Sequence, residues 1–298
     1  MVSEMYDIKE YYEAKNLEQA LETLAADPGL TVVAGGTDVL IKMHHGRIEK
    51  ARLLSIRRIA SLAGITVGAD VTIGIGPLAT FTRLSRDEQI KENLPILVEA
   101  ALSMGGPQIR NVATIGGNIC NGATSADSAP TLFALNARLV LKSKKDERIV
   151  PINEFYLGPG KVDLLPGEIL TEIRIDPADY RGFGGHYIKF SMRKAMDIAT
   201  LGVAVTCRLA GGDAFADVRI GLGVAGPTPL RCREAEEFAR GKVVSAETIA
   251  EIGRLAVKST RARTSWRASR EYREHLVVEL VQRALKTAVV RAGGVEIA

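Results

Sequence analysis

The chain has 298 residues, 46% hydrophobic and 25% charged, enough for a substantial core and consistent with two compact domains. Its formal charge is only +4, from 39 basic and 35 acidic residues, which makes no electrostatic case for a nucleic-acid or membrane partner. Three well-separated cysteines (Cys120, Cys207, Cys232) with no CxxC pair argue against an iron–sulfur or zinc site and against a disulfide framework, and fit a reducing cytoplasm.

The N-terminus, MVSEMYDIKEYYEAKN, contains acidic residues and no apolar h-region, so no signal peptide is expected, and no apolar run approaches the length of a membrane span. Asn16 is placed to cap a helix in which Leu17, Ala20, Leu21, Leu24 and Ala25 share a face, and Asp27-Pro28-Gly29 ends it. Thr31-Val32-Val33-Ala34 is a short β run that enters Gly35-Gly36-Thr37-Asp38. Strand-like segments follow at Leu53–Ile56, Gly64–Gly68 and Val71–Ile75, then a helix over Glu92–Met104 with Pro95 in its first turn. Gln108–Asp127 has almost no bulky apolar residues and is expected to be a loop outside the core, followed by a helical piece at Thr131–Leu135.

Alternation predicts half-buried strands at Ala137–Ser143 and Ile169–Ile175. Asp176–Gly185, rich in glycine, makes a credible linker. Three β runs follow (Tyr187–Met192, Leu201–Leu209, Phe215–Val224) and then two helices. One opens at Ser245 with Ile249, Ile252, Leu255 and Ala256 inward. The other runs from Ser269 to Gly293-Gly294 with Leu276, Val277, Leu280, Val281 and Ala284 on one face. The fold class is therefore α+β, with an N-terminal domain over 1–178 and a smaller β-then-α domain over 179–298.

Two segments carry the chemistry. Thr31–Asp38 and Gln108–Asp127 are both built from small residues whose backbone can approach a ligand closely and offer N–H groups, hydroxyls and a carboxylate. Together they suggest a large phosphorylated ligand held between two loops. Asp127 fits either a contact to a ligand hydroxyl or a plain helix cap. Lys189, in Tyr-Ile-Lys-Phe-Ser, is either an outward-facing strand lysine or an ammonium facing a flavin, where it would stabilise negative charge on the reduced ring.

A formal GxGxxG at Gly221–Gly226 is rejected as a dinucleotide fingerprint. Pro227 and Pro229 follow it at once, and a proline inside the helix that such a motif requires costs about 3 kcal/mol. The basic run Lys258, Arg261, Arg263, Arg267, Arg270 and Arg273 around Trp266 reads as a solvated face or a protein-docking surface, since nucleic-acid readers carry far more net charge. The histidines form no metal set and no catalytic triad.

VVAGGTDVLI together with QIRNVATIGGNICNGATSAD closely resembles the FAD-binding (medium) subunits of molybdenum hydroxylases, and the flanking text is most similar to the bacterial xanthine dehydrogenase branch. The resemblance continues through PINEFYLGPGK, GEIL, YIKFSMRKAMDIATLG and TSWRASREYREHL, nearly the whole chain. It implies a vanillyl-alcohol-oxidase (PCMH) type FAD domain of two subdomains, followed by a C-terminal α+β domain of the CO dehydrogenase flavoprotein type. It also implies that Thr31, Val32, Val33, Ala34, Gly35, Gly36, Thr37 and Asp38 hold the FAD pyrophosphate. Thr114, Ile115, Gly116, Gly117 and Asn118 would then pack along the phosphate, ribityl and flavin region. By the same match Asp127 binds a cofactor hydroxyl, Leu170 touches the cofactor, Lys189 lies near the isoalloxazine, and Met104 stands where some relatives stack an aromatic residue on the adenine.

The same resemblance implies no substrate hydroxylation in this chain and no catalytic side chain. A molybdopterin subunit would oxidise the purine, an iron–sulfur subunit would deliver electrons from 2Fe–2S clusters, and NAD+ would take them from FAD, all within a heterotrimer or its dimer. The alternatives are the same role in a molybdenum hydroxylase acting on carbon monoxide, nicotinate or another N-heterocycle, and a non-enzymatic adaptor that uses the basic C-terminal helices.

Overall fold

The computed structural model describes residues 6–297. The first layer is a parallel three-stranded sheet in the order Ile8–Glu13, Ala51–Ser55, Thr31–Val33. The helix Leu17–Ala26 covers it. Asn16 caps that helix as expected, its Oδ1 accepting the Gln19 N–H at 2.8 Å. Ala20, Leu21 and Leu24 pack on Leu30, Leu54, Ile56 and Leu78 to form a small separate core.

The second layer is an antiparallel five-stranded sheet in the order Ile65–Val67, Ile73–Ile75, Ile169–Ile175, Arg138–Lys142, Glu147–Pro151. Ile73, Ile75, Leu139, Leu141, Ile173 and Ile175 share one core with residues of the helices Phe81–Arg86, Pro95–Ser103, Ile115–Cys120 and Ser128–Ala134. The helix expected over Glu92–Met104 is two helices, Glu88–Asn93 and Pro95–Ser103, broken at Leu94. A residue before proline is driven out of the α region, and Leu94 sits at φ −131°, ψ 52°.

The third layer is an antiparallel sheet of Gly184–Phe190, Leu201–Ala210, Ala214–Gly223 and Leu230–Arg231. Leu201, Val203, Val205 and Cys207 face the helices Arg233–Ala239, Ala246–Ala256 and Arg270–Arg291, while Ala204 and Tyr187 face the second core. The glycines of the rejected GxGxxG have a packing reason. A Cβ at Gly221 would lie 2.1 Å from the Pro130 carbonyl oxygen, and one at Gly223 would lie 2.9 Å from the Pro130 ring.

Two expectations need correction. Asp176–Gly185 is not a loose linker: Pro177–Tyr180 is a helical turn, and the buried Tyr180 donates its hydroxyl to the Val71 carbonyl at 2.7 Å. Nor is Gln108–Asp127 a loop outside the core. It contains the helical turns Pro107–Arg110 and Ile115–Cys120, and Ile115 and Ile119 are fully buried in the main cluster. Two isoleucines one turn apart were enough to anchor it.

Candidate functional site

The strand Thr31–Val33 delivers the chain to Gly35 and Gly36, where Gly36 adopts φ +77°, a conformation that glycine reaches without strain. Gly35 lies flat on the second loop, since a Cβ there would be 1.9 Å from the Val112 carbonyl oxygen. The two small-residue segments therefore touch along their backbones. Among the described residues, no acceptor meets the N–H groups of Gly35, Gly36, Thr37 or Asp38. Unsatisfied donors clustered in a half-buried loop are the requisite of an anion-binding concavity.

The turn Ile115–Cys120 differs from the later part of the second segment, where the N–H groups of Ala123, Thr124 and Ser125 meet no acceptor among the described residues, as expected of a segment that offers donors. The Ile115 N–H goes to the Ala79 carbonyl at 3.0 Å, that of Gly116 to Pro77 at 2.9 Å, and that of Gly117 to the Thr114 hydroxyl at 3.1 Å. These donors are taken, so the turn contributes shape. Gly116 is pinned against Pro77, whose Cβ would be 2.4 Å from an added Cβ, whereas Gly117 is exposed and meets only the Thr114 hydroxyl. Asn118 accepts the Ser128 hydroxyl at 2.7 Å, which leaves its amide nitrogen available.

Asp127 is buried and does not cap the following helix. Its carboxylate accepts from Lys189 Nζ at 2.8 Å and from the Tyr187 hydroxyl at 3.3 Å, and Lys189 also donates to the Ser103 carbonyl at 3.1 Å. Burial pushes the Asp127 carboxyl up, and the Lys189 charge and the Tyr187 hydroxyl only partly offset this. Burial and the neighbouring Asp127 likewise raise Tyr187. The result is a rigid Tyr–Asp–Lys group in one wall.

Between the two segments runs a cleft of about 720 Å³, a volume in the range of about 300–1,000 Å³ usual for cofactor-sized ligands. Thr31, Val32, Ala34, Gly35, Gly36, Thr37, Asp38, Met104, Thr114, Gly116, Gly117, Asn118, Asp127 and Leu170 all line it. Three of the expected residues do not. Val33 packs on Met43 and Leu53, Ile115 belongs to the core, and Lys189 lies behind Asp127. The volume of the cleft, the unsatisfied donors on one loop and the small-residue wall on the other fit FAD.

Several lining residues had no signal in the sequence. Lys42, one turn past Asp38, reaches across to Asn121 Oδ1 at 2.6 Å and ties the two loops together. Leu164–Gly167 form another wall, held from behind by Arg148, which donates to both Glu168 oxygens at 2.7 and 2.9 Å and to Asp163 at 2.7 Å. Met196, Asp197 and Ile198 close a further side. The Cys120 thiol, also in the wall, is pushed up to about 12 by burial and is no nucleophile.

Comparison with known proteins identifies the family. Residues 5–178 match the family described as the FAD binding domain in molybdopterin dehydrogenase, and residues 186–288 match the CO dehydrogenase flavoprotein C-terminal domain. The chain is 43% identical over 290 residues to the xanthine dehydrogenase FAD-binding subunit of Escherichia coli O157:H7, covering 97% of this chain and 99% of that protein. It is 32% identical over 285 residues to the carbon monoxide dehydrogenase medium chain of Hydrogenophaga pseudoflava, covering 95% of this chain and 97% of that one. A solved carbon monoxide dehydrogenase chain from H. pseudoflava superimposes with a TM-score of 0.90 at 31% identity, over 95% of this chain and 98% of that chain. These matches set aside the adaptor reading. The chain belongs to the FAD-binding medium subunits of the molybdenum hydroxylases, a family of oxidoreductases.

Proposed function

We propose that this chain is the FAD-carrying electron-outlet subunit of a xanthine dehydrogenase complex, with residues 1–178 as the FAD domain and 179–298 as the C-terminal domain. The observation that carries this reading is the cleft itself: unpartnered N–H groups of Gly35–Asp38 on one side, the Thr114–Asn118 turn opposite, and Asp127 locked by Tyr187 and Lys189. Gly35, Gly36, Thr37 and Asp38 would hold the pyrophosphate through their N–H groups, with Lys42 as the nearby ammonium. Asp127 would accept a ribityl or ribose hydroxyl, Met104 would pack on the adenine, and Leu170 would form the floor.

When bound, FAD would supply the redox chemistry that links the 2Fe–2S clusters of a partner subunit to NAD+. The side chains here bind and orient it and keep water from its buried face. The Tyr187–Asp127–Lys189 group moves no proton in this reading; it holds a polar contact at a fixed place. Purine oxidation belongs to a molybdopterin subunit, in a heterotrimer or its dimer in the cytoplasm. Among the described residues no helix is long and apolar enough to cross a membrane.

The test has two parts. The isolated chain should show a flavin absorption spectrum or take up added FAD; a colourless chain that binds none would refute the cofactor reading. The purified complex should then form NADH when given xanthine and NAD+. Turnover only with oxygen or dyes would refute NAD+ as acceptor, and turnover only with another substrate would reassign the molybdenum partner.

A further inference from the structure

The basic run around Trp266 has no place in the cofactor cleft, and the structure gives it a definite form. Arg273 is only 2% exposed. Its guanidinium donates to the carbonyls of Thr200, Arg263 and Ala268 and to the Ser265 hydroxyl, and among the described residues no carboxylate lies within ion-pair distance of it. It thereby folds the segment 263–268 onto the end of the segment 191–200. Desolvation pushes Arg273 below the usual arginine range, and the positive charges of Arg263 and Arg267 push the same way.

Neither Arg263 nor Arg267 forms an ion pair among the described residues, and neither does Arg261. By contrast, Lys258 and Arg270 at the two ends of the run are paired with Glu234 and Glu274. Arg267 lies 4.1 Å over the Trp266 ring, and its Nε is a buried atom with no hydrogen-bond partner. Trp266 itself is 75% exposed. A monomer gains nothing by presenting an indole to water beside guanidinium groups that form no ion pair among the described residues, yet tryptophan with arginine is the combination that anchors protein interfaces.

The surface continues to the cofactor cleft. Desolvation raises the Asp197 carboxyl, but the N–H groups of Arg193 and Ile198 and the charges of Arg193 and Arg267 outweigh it and hold it low. Asp197, with Met196 and Ile198, lines the cleft. Exposed apolar side chains at Met192, Met196 and Ile198 lie on this intervening segment.

We propose that Trp266, Arg263 and Arg267 form the docking point for an acidic face of the electron-donating iron–sulfur subunit, so that the donor sits beside the mouth of the FAD cleft. The proposal rests on the functional reading above. The partner's carboxylates supply the ion pairs that Arg263 and Arg267 do not make among the described residues, and an apolar recess receives the indole. Docking there is salt-sensitive, because the charges are solvent-facing until the partner arrives.

The test uses the co-expressed complex with Arg263→Glu/Arg267→Glu and, separately, Trp266→Ala, whose side chain is largely exposed and belongs to no core cluster, so that the fold is spared. Affinity for the iron–sulfur subunit should fall about tenfold or more in each variant, with a shallower salt dependence in the charge-reversed one. The flavin-to-protein ratio should stay at the wild-type level, as should the rate of flavin reduction by dithionite. Wild-type affinity and salt dependence in both variants would overturn the proposal. If instead the unaltered chain carries no flavin and recruits no such subunit, it is the functional reading that fails.

Discussion

Gly117→Val separates cofactor binding from folding. Gly117 lies in the turn Ile115–Cys120, is exposed to the cleft, and an added Cβ meets only the Thr114 hydroxyl, at 3.0 Å. On the folding side, valine is a slightly better helix former than glycine, by a few tenths of a kcal/mol. Against this, the Thr114 hydroxyl must give way by a few tenths of an ångström, weakening a cap worth about 1 kcal/mol. The two effects nearly cancel, so stability should change by about 1 kcal/mol or less and the melting temperature by about 2–4 °C at most. On the cofactor side, the isopropyl group occupies space in the cleft, and relieving such overpacking costs about 1–3 kcal/mol. That corresponds to a roughly 5- to 150-fold rise in the FAD dissociation constant. Gly35→Ala is the contrast. Its Cβ would lie 1.9 Å from the Val112 carbonyl oxygen, so the two loops must part and both stability and flavin are lost. Flavin-to-protein ratios from absorbance, FAD titration of the stripped protein and thermal melting read all three quantities. Gly117→Val with wild-type FAD affinity would refute this account of the turn, and so would a variant that fails to fold.

Lys189→Met leaves Asp127 buried without its counter-charge, a loss of about 3–5 kcal/mol, and Asp127→Asn/Lys189→Met together should cost at least about 1 kcal/mol less than the sum of the single changes; strict additivity in chemical denaturation would argue that the pair is not coupled. Tyr187→Phe removes one support of Asp127 and should weaken FAD binding about three- to tenfold with at most about 1–3 kcal/mol of lost stability; unchanged affinity by titration would make the hydroxyl irrelevant to the site. Glu99 joins three elements: it accepts from His186 Nδ1 at 2.9 Å, the Tyr187 N–H at 2.8 Å and Arg291 at 2.7 Å. Desolvation opposes ionisation there, but these partners prevail and hold its carboxyl below the usual range. A lowered folded-state value means the stabilisation is full above the ordinary carboxylate range and lost as pH falls through the lowered value. Glu99→Gln should therefore flatten the acid side of the stability profile, and an acid limb identical to wild type would count against it.

Much of this molecule is local in origin and so was readable in one dimension. Asn16 caps a helix because its own side chain reaches its own backbone, and Ser245 and Ser269 do the same. The small residues of Thr31–Asp38 mark a place where the backbone can line a cleft closely, since glycine composition is itself the physical requirement. Proline after Gly221–Gly226 excluded a helix there for an equally local reason. The break at Leu94 was also written locally, in Pro95, but the continuous apolar pattern concealed it.

What tertiary structure decided is how each polar group is used. Ile115, Gly116 and Gly117 have the composition of a donor loop, yet Ala79, Pro77 and Thr114 consume their N–H groups, while those of Gly35–Asp38 remain free. Lys189 stands in a strand and was expected near a flavin, yet its ammonium goes to Asp127 and Ser103. Lys42 and Arg148 look like surface cations until Asn121 and Glu168 arrive from far along the chain. A hydrogen bond needs both partners within about 3 Å. The sequence names the donors and acceptors by itself, but only the packing of three sheets and their helices determines which of them meet and which are left for the ligand.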